Sequence, residues 1–209
     1  MTDKPGALNG KVILVTGAGK GLGSILSRKL AAQGASLAIN DLTPVNLIQV
    51  EREIQAESGV VKSYIVDVSR KMPIQSLVQS IQEDFGRIDI LIHCARVRPA
   101  ADLIDMDDWE WQRTLDVNLT GAFLTLQSVG RLMREQGEGK IFLVGPSKPV
   151  GNGLGAFSTT MTALQDLTSH AAIEFKDHHI LVEWIDQSKD TDQVLERILS
   201  FCSESDLED

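Results

Sequence analysis

Four glycines, at positions 17, 19, 21 and 23, interrupt the stretch TGAGKGLG between Thr16 and Gly23. An apolar run, VILV, precedes this stretch, and a segment with apolar residues at helical spacing follows it. This order predicts a strand, a tight turn and a helix, because glycine adopts positive φ and lets a phosphate approach the backbone. The free N–H groups of the first helical turn would face that anion. The sequence therefore predicts a nucleotide site made by Gly17, Gly19, Lys20, Gly21, Leu22 and Gly23.

A carboxylate follows at the distance that a dinucleotide site requires. The second apolar segment ends at Asp41, about 20 residues beyond the glycines, where such folds place an acid on the adenosine ribose. A carboxylate accepts a hydrogen bond from a free 2′-hydroxyl and repels a 2′-phosphate, so Asp41 favours NAD. Lys20 favours the extra phosphate of NADP. We give Asp41 more weight and expect NAD, or only its adenosine half, as the ligand.

Strand-like and helix-like segments alternate along the rest of the chain. This alternation predicts a parallel sheet with helices on both faces, joined by right-handed crossovers. The expected strands are 12–15, 36–40, 60–66, the run directly after Gly86, 140–144 and 180–185. The expected helices are 22–34, 44–59, 69–86, 107–135, 158–175 and 191–202, with Ser69 as a possible cap. A single domain over residues 10–203 would lie between a flexible arm, 1–9, and an acidic tail, 204–209.

Several motifs together resemble the short-chain dehydrogenase/reductase (SDR) family over nearly the whole chain. They are the Thr-Gly-x-x-x-Gly-x-Gly turn, the Asp67-Val68 pair, GRIDILI at 86–92 and DVNLTGAF at 116–123. The resemblance implies a Rossmann-type doubly wound sheet in three αβα layers, with Asp67 and Val68 also contacting the cofactor. The family's substrate lid and seventh strand have no counterpart in the sequence. The chain therefore resembles a shortened member.

The residues that the family uses for catalysis are where the sequence departs from its pattern. Family members carry a Ser, a Tyr that exchanges a proton, and a Lys that lowers the pKa of the Tyr and holds the nicotinamide ribose. Gly145, Phe157 and Met161 stand at the matching positions and can supply neither a proton nor a charge. Asn118 is the one match to the tetrad, although a helix Asn whose polar atoms are satisfied by the backbone is an alternative use. Losing a positioned acid lowers a rate by about 10²- to 10⁴-fold.

The segment after the fourth strand also differs, since HCAR at 93–96 replaces the family's Asn-Asn-Ala-Gly. Arg96 puts a long cation where the family keeps a glycine beside the cofactor. His93 has a side chain whose ordinary pKa suits acid or base chemistry. Cys94 points to the opposite side of the strand, so the two form no nucleophile and base pair. Ser147 could replace the lost serine only with a shifted loop.

Three hypotheses remain open at this point. The first, which we favour, is a dinucleotide-binding protein that has lost redox catalysis and has a binding, scaffolding or regulatory role. The second is an NAD(P)-dependent oxidoreductase with a non-standard acid such as His93, or with chemistry supplied by a partner subunit. The third is a structural subunit with an empty glycine loop.

Composition narrows the choice of partners. A net charge of -9 leaves no basic footprint for nucleic acid or an anionic membrane. We expect no membrane segment, no metal site, and reduced thiols at Cys94 and Cys202, which suggest the cytoplasm. The resemblance implies a homodimer, or a heterodimer with a related subunit, through the helices that carry Phe123, Leu124, Ala163, Leu164 and Leu167.

Overall fold

The structure, a computed structural model, describes residues 7–147, 149–187 and 190–203. Its strands are β1 (Val12–Thr16), β2 (Ser36–Asp41), β3 (Val61–Ile65), β4 (Ile90–His93), β5 (Gly139–Gly145) and β6 (Ile180–Asp186). Its helices are α1 (Gly21–Ala32), α2 (Pro44–Ala56), α3 (Lys71–Phe85), α4 (Asp108–Leu115), α5 (Gly121–Gln136), α6 (Gly155–Phe175) and α7 (Thr191–Ser203). The predicted tail at 204–209 and the first six residues of the predicted arm lie outside this part.

The six strands form one parallel sheet in the order β3-β2-β1-β4-β5-β6. Strand order reverses between β1 and β4, which pair from Ile13 with Ile90 to Thr16 with His93. Both faces of the central strands are buried, as is usual for parallel sheets. Val12 and Leu14 pack with residues of α3, α5 and α6, whereas Ile13 and Val15 pack with residues of α1, α2 and α7. The predicted three-layer αβα arrangement is therefore confirmed.

Element boundaries follow local backbone chemistry. Gly86 and Gly137 adopt positive φ, at 81° and 85°, and end α3 and α5. The predicted cap at Ser69 is wrong: Arg70 is the N-cap of α3, and the Ser69 hydroxyl donates to Asp67 instead. The predicted helix over 107–135 is continuous, but a π-helical turn at Asp116–Thr120 separates α4 from α5. Such turns often occur at functional sites.

The end of the predicted flexible arm belongs to the core. Leu8 is fully buried among residues of α1 and β2, and its N–H donates to the carbonyl of Gln33 at 3.1 Å. The sequence suggested a loose arm because the short segment has no periodic pattern. A single apolar side chain can anchor a segment without such a pattern, so the ordered domain begins before residue 10.

This anchoring can be measured as stability. Leu8→Ala should lower the free energy of unfolding in urea by about 2–5 kcal/mol, because it removes a buried side chain and leaves a cavity. Ile104→Ala removes a side chain of the same size that is 92% exposed, and should change stability by less than about 0.5 kcal/mol. If both substitutions had equally small effects on stability, Leu8 would instead belong to a flexible arm.

Within the described residues, no helix combines the length and the apolar character that crossing a membrane requires.

Candidate nucleotide-binding cleft

A cleft of about 850 Å³ opens at the carboxyl ends of the strands, where the strand order reverses. Open α/β sheets bind ligands at this place, because the crossovers on the two sides leave in opposite directions. The glycine turn, the ends of β2, β3 and β4, and the segment after β5 form its walls. The structure thus brings together the predicted residues Gly17, Lys20, Gly21, Leu22, Gly23, Asp41, Asp67 and Val68.

The glycine turn is held close to the neighbouring strand end. Gly17 has φ +66°, and a Cβ there would lie 2.7 Å from the Cα and N atoms of Ala95. A Cβ on Gly23 would overlap the carbonyl oxygen of Gly17. Gly21 has φ +59° and borders the cleft, and a Cβ on it would meet nothing within 4 Å. The turn therefore requires glycine for close packing at Gly17 and Gly23, whereas the space beside Gly21 is open.

The first turn of α1 is suited to an anion. Its N-cap, Lys20, makes no capping hydrogen bond with its side chain, and no acidic residue stands in the first turn. The N–H groups of a helix N-terminus carry a partial positive charge and attract phosphate. These groups and the open space at Gly21 fit a pyrophosphate.

Asp41 is fixed by two backbone donors. Its Oδ2 accepts from the N–H of Gly19 at 2.9 Å, and its Oδ1 accepts from the N–H of Thr43 at 2.9 Å. A Cβ on Gly19 would lie 2.9 Å from the Asp41 carboxylate, so a side chain at this position would require Asp41 to shift. Each carboxylate oxygen has a further lone pair, so both can still accept a hydrogen bond from a ligand.

Asp67 lies across the cleft from the glycine turn and is also held in place. Its Oδ1 accepts from the N–H and hydroxyl of Ser69, and its Oδ2 lies 3.5 Å from the guanidinium of Arg113. Partial burial raises the pKa of Asp67, but the Ser69 hydrogen bonds and Arg113 outweigh it and hold the pKa below its usual range. The carboxylate is therefore ionised at neutral pH. Val68 packs beside it against Gly121.

Gly145, Phe157 and Met161, which the sequence pattern matches to the family's Ser, Tyr and Lys, lie in an apolar cluster with Trp184. Phe157 is 4% exposed and Met161 is 1% exposed. A Cβ on Gly145 would lie 2.6 Å from Cη2 of Trp184 and 3.0 Å from Sδ of Met161. The indole N–H donates to the hydroxyl of Ser147 at 3.1 Å, which fixes the ring in that place. The Ser147 hydroxyl accepts this hydrogen bond and still has its own proton to donate.

A family profile described as short chain dehydrogenase matches residues 11–188. The chain belongs to the short-chain dehydrogenase family. The short-chain reductase protein NovJ of Streptomyces niveus is 34% identical over 175 residues, 83% of this chain and 67% of NovJ. The 2,3-dihydro-2,3-dihydroxybenzoate dehydrogenase of Bacillus subtilis (strain 168) is 31% identical over 176 residues, with the same coverage of both chains.

Solved structures of similar proteins include complexes with either cofactor. A metagenomic short-chain oxidoreductase in complex with NADP superposes with a TM-score of 0.89 at 26% identity, covering 95% of this chain and 93% of that one. An NAD⁺-bound xylitol dehydrogenase superposes with a TM-score of 0.83 at 32% identity, covering 86% and 70%. The family thus binds both dinucleotides, and the likeness does not choose between them.

Asn118, the one match to the family's catalytic tetrad, has its side chain fully engaged. It lies in the π-helical turn and is 1% exposed. Its Oδ1 accepts from the N–H of Val97 at 2.8 Å, and its Nδ2 donates to the Val97 carbonyl at 2.9 Å and to Oγ1 of Thr160 at 3.1 Å. Asn118 therefore joins the segment after β4 to α6.

His93 and Cys94 diverge, as the alternation along a strand predicts. His93 is 1% exposed, with Nδ1 2.9 Å from Oγ1 of Thr16 and Nε2 without a partner among the described residues. Burial, and secondarily the charge of Arg96, lower the pKa of His93 to about 4. Cys94 borders the cleft, and burial raises the pKa of its thiol to about 12. Neither side chain is charged near neutral pH.

Three cleft residues carry no sequence motif that would have identified them. Arg98, Arg113 and Gln187 all border the cleft. Arg113 could have been found from the predicted continuity of the helix that carries Asn118, because that helix must run along the cleft. Gln187 follows the last strand and enters the cleft only through the tertiary fold.

The buried His93 should make stability depend on pH. Between pH 6.5 and 4 the unfolded chain binds a proton at this residue that the native chain does not, so stability falls as the pH falls. At pH 4.5 this loss is about 2–3 kcal/mol relative to pH 7. Urea denaturation at both pH values should show that His93→Asn removes this loss.

His170→Asn is the matched control, because the His170 side chain is 68% exposed and lies on α6 away from His93. It should leave the pH dependence as it is in the native chain. If His93→Asn left the pH dependence of the free energy of unfolding unchanged, His93 would not be buried in its neutral form.

Proposed function

We propose that this chain binds an adenine nucleotide through the adenosine half of the family's cofactor site and does not itself catalyse hydride transfer. The observation that carries the proposal is the contrast between the two halves of one cleft. The glycine turn, Asp41 and Asp67 are arranged for a nucleotide. The opposite half holds Phe157, Met161 and Gly145 packed with Trp184.

Binding is supported by groups that still have hydrogen-bond donors or acceptors free for a ligand. The first turn of α1 offers N–H groups, and the Asp41 carboxylate is oriented by Gly19 and Thr43 with lone pairs still free. Asp67, as an ionised acceptor, suits the amino group of adenine. We assign Gly17, Gly19, Lys20, Gly21, Leu22, Gly23, Asp41, Asp67 and Val68 to the ligand.

Among dinucleotides we propose NAD rather than NADP. The backbone bonds of Asp41 keep its charge where the 2′-position of the adenosine ribose would lie, and a 2′-phosphate there would meet a like charge. Lys20 opposes this preference but is exposed at the N-cap, so solvent screens its charge more strongly.

Loss of redox chemistry is supported by what fills the other half. A Phe has no proton to exchange, and a Met has no charge to hold a ribose. These residues are buried in the hydrophobic core, and Trp184 occupies the space that a side chain at position 145 would need. Neither Phe157 nor Met161 can therefore perform the proton transfer that accompanies hydride transfer.

His93 does not replace the missing acid on physical grounds. A general acid must carry a proton at the working pH and reach the reacting atom. His93 with a pKa of about 4 is neutral near pH 7, and its imidazole is buried beside Thr16. The oxidoreductase alternative then depends on a partner subunit.

A binding role fits assembly with another copy or with a complete relative. A groove of about 300 Å³ runs along α5 and α6, and Phe123, which borders it, is 42% exposed. Leu124 and Leu164, which the sequence offered for such an interface, are buried in the monomer at 9% and 3% exposure. We therefore propose that Phe123, Ala163 and Leu167 would form its apolar part.

Cofactor binding should appear as thermal stabilisation. NAD at 100 times its dissociation constant adds about 2.7 kcal/mol, which for a chain of this size raises Tm by roughly 5–10 °C. NADP at the same concentration should raise Tm less. Asp41→Asn should narrow the difference because it removes the charge, whereas Asp105→Asn, an exposed substitution outside the cleft, should leave it unchanged. No shift with NAD, NADP, AMP or ADP at millimolar concentration would refute the proposed function.

Turnover should be absent in the same preparation. NADH oxidation followed at 340 nm across a panel of ketones, aldehydes and sugars should stay below about 1 s⁻¹, the low end of typical enzymes. Phe157→Tyr with Met161→Lys should not restore it, because groups that act as a unit are strongly non-additive and position 145 still lacks a hydroxyl. Native turnover that His93→Asn abolishes would establish the oxidoreductase alternative.

A further inference from the structure

Arg96 is a cation inside the cleft that the family's usual function does not require. Its backbone directly follows Ala95, which contacts the glycine turn at Gly17. Its side chain extends towards the carboxyl ends of β5 and β6, where Nη1 donates to the carbonyl of Val144 at 2.9 Å and Nη2 donates to Oε1 of Gln187. Arg96 thus reaches from the glycine turn, which lies beside its backbone, to the carboxyl ends of β5 and β6, where its guanidinium is bound.

The charge of Arg96 has no counter-ion within the part of the chain that the structure describes. Both of its hydrogen-bond partners are neutral oxygens, and no carboxylate is among the causes that shift its pKa. Burial is the largest of these causes and lowers the pKa, the Cys94 thiol raises it, and the nearby Arg98 lowers it. An arginine nevertheless stays protonated in proteins. A partly buried charge of this kind is unfavourable unless an anion joins it.

The guanidinium has donors left for that anion. An arginine carries five N–H donors, and protein atoms accept from only two of those of Arg96. Arg96 borders the cleft, and its Nε is not among the fully buried side-chain atoms without a partner in the described residues. A guanidinium binds phosphate oxygens in pairs, which makes a terminal phosphate a better match than a bridging one.

The same side chain occupies space that a nicotinamide riboside would need. Arg96, Gln187, Pro146 and Phe157 all border this end of the cleft. In the family a glycine stands at the position of Arg96 and leaves that space to the cofactor. A nicotinamide riboside in this space would have to displace the guanidinium from Val144 and Gln187.

We propose that Arg96 determines ligand specificity by closing the nicotinamide end of the cleft and binding the terminal phosphate of a nucleoside diphosphate. The preferred ligand is then ADP, with its adenosine and α-phosphate in the half of the site described above. This inference rests on the proposed function, because it needs the adenosine half to bind. It adds that the ligand ends at its second phosphate.

Calorimetric titration at fixed ionic strength and without added Mg²⁺ tests this directly. The native chain should bind ADP roughly tenfold more tightly than NAD, as expected for one charge-assisted hydrogen-bonded pair. ADP-ribose, which has the same two phosphates but no free terminal group, should bind more weakly than ADP. Arg96→Gly should weaken ADP roughly tenfold, leave AMP unchanged and strengthen NAD, so that the ranking reverses.

Arg98→Gly is the matched control, because it removes an equal charge from the same loop and cleft without touching Val144 or Gln187. It should keep ADP ahead of NAD. If Arg96→Gly does not fold, as judged by circular dichroism, Arg96→Gln removes the charge while keeping a donor, and should also lose the preference for ADP.

The outcomes separate this inference from the proposed function. NAD that binds the native chain as tightly as ADP, or equal effects of the two glycine substitutions, would overturn the role of Arg96 and leave nucleotide binding intact. Failure of ADP, AMP and NAD alike to bind at millimolar concentration would refute both.

Discussion

The close approach of Gly17 to the backbone of Ala95 is the contact on which the cleft depends. No side chain fits between the glycine turn and the end of β4, where a Cβ would lie 2.7 Å from backbone atoms. Because the turn rests on the next strand, the residues after β4 start at the phosphate end of the site. The direction in which they leave decides what else the cleft can hold.

Asn118 connects the segment that follows β4 to helix α6. Its amide bonds both backbone groups of Val97 and reaches Thr160 on α6. Asn118 lies in the π-helical turn and is buried, whereas its partner Val97 borders the cleft. A buried amide with all of these bonds made is expensive to replace, since any substitution leaves donors or acceptors unpaired. This role of Asn118 in the fold is independent of any role in catalysis.

Much of this arrangement could be predicted from the sequence, and the limits have physical causes. The glycine spacing and Asp41 predicted a nucleotide site, and the structure brings these residues together in one cleft. They could be predicted because a strand, a turn and a helix each leave a local pattern in the sequence. The parallel sheet with helices on both faces followed from the alternation of strand-like and helix-like segments. Leu8 was misplaced because burial of one isolated side chain leaves no periodic signal. The sequence showed that Gly145, Phe157 and Met161 differ from the residues that the family's pattern expects. It could not show that the indole of Trp184 lies beside Gly145, because this contact between β5 and β6 leaves no local pattern.

The cleft carries more positive than negative side chains, whereas the whole chain has a negative net charge. The net charge is -9, which repels anionic nucleotides at long range. Yet the described residues that border the cleft include Lys20, Arg96, Arg98 and Arg113 against only Asp41 and Asp67. At physiological salt the Debye length is about 8 Å, so the distant acidic surface is largely screened while groups inside the cleft are not. Arg113 is partly neutralised by Asp67, and Asp41 is turned towards backbone N–H groups. The excess positive charge therefore lies between the glycine turn and Arg96, where a phosphate would bring the compensating charge.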